Sequence, residues 1–193
     1  MFAPDELSSV KMCSRASGIL AGNEFLTDLV ECFSVPREIE WIARINDGDE
    51  IDQGTVIAEF TGNARAIVRL ERTMLNLIAR LSGIATLTRA YVELVDGTRA
   101  KICDTRKTTP GLRVLEKYAV RCGGGTTHRM GLNDAVLIKD NHLAGLAPDE
   151  LAPAIESLAN RTRDSDASLW FIQVEVDTLE QLAGVLQARP GIV

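Results

Sequence analysis

The chain has 193 residues, a formal net charge of −6 and 46% hydrophobic residues. That apolar content suffices for a packed core, and the acidic balance argues against a general nucleic-acid surface. No apolar run approaches the ~18 residues that a membrane span needs, and Met1–Lys11 lacks the basic-then-hydrophobic order of a secretory signal.

In chain order, Val10–Ser14 reads as a short strand, and Ser17-Gly18 starts a turn. Asn23 is placed to cap a helix from Glu24 to about Phe33. Glu38–Ile45 and Thr55–Phe60 read as strands, separated by turns at Asn46-Asp47-Gly48-Asp49 and Gln53-Gly54. The period then changes. Ile67, Leu70, Met74, Leu77, Ile78 and Leu81 recur at helical spacing over Ala64–Leu81. Ser82-Gly83 is expected to punctuate that helix, with a second running to about Val95. Arg65, Arg69, Arg72, Asn76 and Arg80 share one face of the first helix. Both a solvated face and a face opposite a partner's anion site fit this stripe.

After Asp96-Gly97 strands and helices alternate. Ala100–Cys103, Asp134–Ile138 and Leu169–Val176 read as strands, followed by helices over Leu112–Val120, Pro148–Ala159 and Leu179–Gln187. Such alternation implies parallel βαβ units. The expected division is a strand-and-helix domain at 1–97 and an α/β domain at 98–193. Ile192-Val193 reads as the start of another strand, and a closed α/β barrel takes about 250 residues. The chain is therefore expected to be a fragment, or to be completed by another chain.

Charge and chemistry concentrate in one stretch. Arg99–His142 holds nine Lys and Arg against four Asp and Glu, a net +5 in an acidic chain. A local anion site and a solvated basic face both fit. Asp104-Thr105-Arg106-Lys107-Thr108-Thr109-Pro110-Gly111 lies between a strand and a helix, at the strand end where α/β folds place ligands. Its guanidinium, ammonium and hydroxyl groups suit a carboxylate or phosphate. Gly123-Gly124-Gly125 lets backbone approach a ligand closely, with His128-Arg129 just beyond. Lys139-Asp140-Asn141-His142 puts a further cation at a strand end. Glu175 is an acid inside an apolar strand, suited to a magnesium ion, a ribose hydroxyl or a cationic transition state. His128 and His142 are the only histidines and match no zinc spacing. Cys13, Cys32, Cys103 and Cys122 form no C-x-x-C pair and suggest no disulfide framework, which fits a cytoplasmic protein.

These elements, in this order, resemble the quinolinate phosphoribosyltransferase family. The likeness runs from about Ser17 to the C-terminus. It is densest over Glu71–Asn76, Ser82–Thr86, Asp104–Thr108, Gly123–Gly125, His128-Arg129, Leu137–His142 and Val174–Val176. It implies a small α/β sandwich domain followed by an open, partial α/β barrel, in a homodimer with shared sites. It also implies phosphoribosyl transfer from phosphoribosyl pyrophosphate to quinolinate, giving nicotinate mononucleotide, pyrophosphate and carbon dioxide in NAD biosynthesis. Magnesium would be carried with phosphoribosyl pyrophosphate.

Under that resemblance Arg106, Arg129 and Lys139 clamp the quinolinate carboxylates, and His128 shapes the pocket. Arg72 enters from the partner subunit. Thr105 and Lys107 lie near the phosphates and the reacting ring, and Glu175 faces the ribose and its magnesium. Lys107 and Glu175 are the expected catalytic residues, and no resident metal is expected. Thr127 stands where the family more often has asparagine. The family pattern also starts before Ser8 and continues past Val193, where its ribose-phosphate loops belong, so the 193 residues alone are expected to be inactive. The alternatives are a non-catalytic dimerising or dicarboxylate-binding remnant, and the molybdenum-transport-associated relative of the same fold. That relative usually lacks the Ile-Lys-Asp-Asn-His run that is intact here.

Overall fold

A computed structural model describes residues 2–33, 38–131, 134–163 and 171–193. The chain divides into two compact units, Met1–His128 and Arg129–Val193. In the first unit the order is β1 (Leu7–Cys13), the short β2 (Gly18–Ile19), a 3-10 turn at Asn23–Phe25, α1 (Leu26–Phe33), β3 (Ile39–Ala43) and the short β4 (Glu50–Ile51). β5 (Val56–Asn63), α2 (Ala64–Leu94) and α3 (Arg113–Cys122) follow.

β1, β5 and β3 form an antiparallel sheet with β5 in the centre. Its register sets Val10 and Trp41 opposite Phe60, and the Trp41 and Phe60 rings stack with centroids 6.4 Å apart. Met12, Ile39, Ala58 and Phe60 share one core with Leu26 and Val30 of α1 and with Ile67, Leu70, Met74 and Ile78 of α2. The apolar period read from the sequence is thus the buried stripe of α2. Asn63 starts that helix, its side-chain oxygen accepting from the Ala66 N–H at 3.1 Å.

Four local expectations change. Ser82-Gly83 does not interrupt α2, which runs unbroken to Leu94. One exposed glycine costs a helix only about 1 kcal/mol, and Ser82 is occupied elsewhere. Its hydroxyl accepts from the Ala21 N–H (3.1 Å), as the Thr86 hydroxyl does from the Ile19 N–H (2.9 Å). These helix hydroxyls satisfy the backbone beside β2, and Gly18 lies within that strand, which pairs with β4. Asn23 is buried and does not cap: its side-chain amide donates to the Ile45 carbonyl at 2.8 Å. Asp47 takes the capping role, accepting from the Asn23 and Glu24 N–H groups at 3.0 and 3.2 Å. Finally, Ala100–Cys103 is not a strand. Only Cys103 pairs, through an isolated parallel bridge to Thr126.

α3 closes a second cluster in which Ala119, Leu115 and Cys122 meet Ile19, Ala21, Leu81 and Ala85. The Tyr118 hydroxyl donates to Asp47 at 2.7 Å and its ring meets Phe25 edge-on, with centroids 5.0 Å apart.

In the second unit β6 (Val136–Ile138), the single turn α4 (Asp140–Leu143), α5 (Pro148–Arg163), β7 (Ile172–Val174) and α6 (Leu179–Gln187) alternate. β6 and β7 are parallel, with Val136 opposite Ile172 and Ile138 opposite Val174. Ile192 bridges to Gln173, also in parallel. Ile138 and Val174 pack on Leu151 and Ile155 of α5 and Val185 of α6. The fold is mixed α/β, and this unit carries the expected βαβ pattern. The expected strand at Leu169–Val176 begins outside the described residues, in 164–170. No described helix is long and apolar enough to cross a membrane.

Candidate active site

The densest set of candidate residues in the first unit surrounds the Cys103–Thr126 bridge. The Asp104 N–H donates to the Thr126 carbonyl (3.1 Å) and the Thr126 N–H to the Ile102 carbonyl (2.8 Å). The His128 N–H donates to Asp104 Oδ1 at 2.7 Å. The loop carrying Thr105, Arg106 and Lys107 and the segment carrying His128 therefore leave the fold at one point.

The loop is held locally. The Lys107 N–H donates to Thr105 Oγ1 (3.1 Å) and the Thr108 N–H to the Arg106 carbonyl (3.0 Å). At its far end the Thr109 N–H donates to Glu116 Oε2 at 3.1 Å. Thr105 and Lys107 are exposed, while Arg106 is half-buried. Arg106 Nε is buried and has no hydrogen-bond partner among the described residues. Leaving a buried donor unsatisfied costs about 1–3 kcal/mol, which an anionic acceptor would recover.

Two buried charges on α3 fix this loop, and sequence reading missed both. Lys117 pairs with Asp104, with side-chain exposures of 3% and 7%. Glu116 accepts from Arg80 of α2 as well as from Thr109. Burial pushes the Glu116 carboxyl up, but the hydrogen bonds from Arg80 and Thr109 outweigh it and hold the group below its ordinary range. A signal was present. Leu112, Leu115, Glu116 and Ala119 follow i, i+3, i+4, i+7, so an acid falls on an apolar face.

The arginine stripe of α2 does not act as one surface. Arg80 is committed to Glu116 and Thr109, Arg69 lies 3.7 Å from Glu38, and Arg65 Nε donates to the Phe2 carbonyl at 2.8 Å. Arg72 is exposed, with no ion pair among the described residues.

The glycine run has a packing role at two of its three positions. A Cβ on Gly123 would sit 2.4 Å from the Ala85 carbonyl oxygen, and one on Gly125 would sit 2.7 Å from the Val120 side chain. Gly124 has φ +87°, the left-handed turn that ends α3. The run lets α3 end against α2.

In the second unit parallel pairing brings two candidates together. The Glu175 N–H donates to the Ile138 carbonyl at 2.9 Å, so Glu175 and Lys139 leave adjacent strand ends. Their charged groups are 3.5 Å apart and both side chains are about half exposed. The Lys139 N–H donates to His142 Nδ1 at 2.9 Å, so that ring closes its own turn. Arg129 is buried, and its Nη1 donates to the Ala135 carbonyl at 2.9 Å, which commits part of the guanidinium to the entry of β6. Among the described residues no three His, Cys, Asp or Glu side chains gather as a metal cage would.

The family model of the quinolinate phosphoribosyl transferase N-terminal domain matches residues 1–82, and that of the C-terminal domain matches 84–193. A probable carboxylating nicotinate-nucleotide pyrophosphorylase of Bacillus subtilis (strain 168) is 43% identical over 190 residues, covering 98% of this chain and 63% of the relative. A carboxylating nicotinate-nucleotide pyrophosphorylase of Mycobacterium leprae is 44% identical over 185 residues, covering 94% and 62%. Among solved structures, NadC from Streptococcus pyogenes superposes with a TM-score of 0.82 at 34% identity, covering 97% of this chain and 64% of that one. The nicotinate-nucleotide pyrophosphorylase of Francisella tularensis gives 0.82 at 37% identity, covering 96% and 63%. The chain thus spans a little under two thirds of the length of these two bacterial relatives.

Proposed function

Because this chain belongs to the quinolinate phosphoribosyltransferase family, we propose that its gene product makes nicotinate mononucleotide from quinolinate and phosphoribosyl pyrophosphate. The observation that carries this reading is Arg106. It sits on a loop held at both ends, and its buried Nε has no hydrogen-bond acceptor among the described residues. A carboxylate supplies the acceptor that is wanted there.

In this reading Arg106, Arg129 and Lys139 take the quinolinate carboxylates, and His128 orients the ring. Arg72, exposed on α2, serves the partner subunit of a homodimer. Thr105 and Lys107 lie near the phosphates and the reacting ring. Glu175 meets the ribose and the magnesium that arrives with phosphoribosyl pyrophosphate. The pyridine nitrogen attacks the anomeric carbon as pyrophosphate leaves with its bonding electrons. The ring nitrogen is then cationic, so it stabilises the electron pair left at C2 when that carboxylate departs as carbon dioxide, and C2 takes up a proton. Positioned cations and charge stabilisation do most of the work. The four thiols are free, in keeping with the cytoplasmic location we assign.

Calorimetric titration with quinolinate and nicotinate tests the site. Quinolinate should bind more tightly, by roughly 1.5–3 kcal/mol for the second carboxylate on a charged partner. Arg106→Ala should remove most of that difference. Equal affinity for the two acids would sink the assignment.

A further inference from the structure

α3 carries Glu116 and Lys117 side by side, both buried. Burying charge is costly, and apolar residues of similar volume usually stabilise a core as well or better. The Lys117–Asp104 pair is also imperfectly satisfied. Asp104 Oδ1 takes both the Lys117 ammonium and the His128 N–H, while Oδ2 is buried with no hydrogen-bond partner among the described residues. Stability alone does not account for such a pair. Its position does: Asp104 immediately precedes Thr105, Arg106 and Lys107, and the same oxygen holds the backbone of His128. One carboxylate, its buried charge balanced by one ammonium, ties the two segments together.

We propose that Asp104 is a positioning residue that sets the distance between the Arg106 loop and His128, and so the fit of the pyridine dicarboxylate, and that Lys117 balances its buried charge. Neither is assigned a substrate contact. The inference rests on the function proposed above, and its test separates the two.

Three variants of the full gene product are compared. In the double variant Asp104→Leu with Lys117→Leu, the buried charges go and the His128 N–H loses its acceptor. In Asp104→Asn with Lys117→Met the charges go, but a side-chain oxygen remains for His128. Lys117→Arg keeps the charge. Each is measured for melting temperature, for quinolinate KM and kcat, and for amide hydrogen exchange at His128. The leucine pair should melt within a few degrees of wild type or above it. Its KM for quinolinate should rise about tenfold with kcat changed less than about threefold, and His128 exchange should accelerate about tenfold. The Asn/Met pair should keep KM within about threefold of wild type, and Lys117→Arg should lie between the two. A leucine pair with wild-type KM and exchange would overturn the proposal. So would an Asn/Met pair that folds but loses affinity as severely, and that comparison still decides if the leucine pair fails to fold. Wild-type protein that ignores quinolinate would instead remove the proposed function, while the exchange at His128 would still report on the positioning.

Discussion

Glu116 shows how a single buried acid is tuned. Burial raises its titration range, and the Arg80 and Thr109 hydrogen bonds lower it further than burial raises it. A carboxyl held below its unfolded value contributes stability that is fully present above the ordinary range. That stability fades as pH falls through the lowered value. Glu116→Gln should therefore cost about 1–3 kcal/mol near neutral pH. The gap in melting temperature between wild type and variant should be full above the ordinary carboxylate range and shrink as pH falls below it. A gap independent of pH would show that the Arg80–Glu116 pair contributes nothing as an ion pair. At this scale the sequence exposed the cations we assign to the substrate, since Arg106 and Lys107 stand out in one loop and Lys139 follows a strand end. It hid their supports. Asp104 and Lys117 are thirteen residues apart, and only the fold brings them together.

The helices and turns were legible where local chemistry sets them. Helix α6 begins and ends where its period predicts, because Thr178 and Gln181 close a capping box at its start. The α2 apolar stripe was legible for the same reason of period. The strand expected at Ala100–Cys103 was not, because four apolar-leaning residues do not specify a partner, and only Cys103 finds one. A glycine's role depends on what lies opposite it, as Gly123 and Gly83 show. The two cases give opposite predictions. Gly123→Ala should destabilise by about 1–3 kcal/mol, because its Cβ would meet backbone of α2 that cannot move aside. Gly83→Ala should stabilise by about 0.5–1 kcal/mol, because Gly83 is exposed within a helix with nothing inside 4 Å of the added methyl. Denaturant melts of both variants check the pair. Equal effects would mean that α3 does not end tightly against α2.

At the scale of the whole molecule, each compact unit holds part of the residue set assigned to the reaction, and Arg72 is assigned across subunits. That assignment has its own test. Arg72→Ala and Arg106→Ala subunits should each be nearly inactive alone. After subunit exchange, half the dimers are mixed and each holds one intact site, so about a quarter of wild-type activity should return. No recovery, with exchange confirmed, would argue that Arg72 serves its own chain or none. The full gene product, given quinolinate labelled in the 2-carboxylate, phosphoribosyl pyrophosphate and magnesium, should release labelled carbon dioxide in step with nicotinate mononucleotide and pyrophosphate, one for one. Binding of quinolinate without release of the label, or product formation from nicotinate at the same rate, would contradict the account.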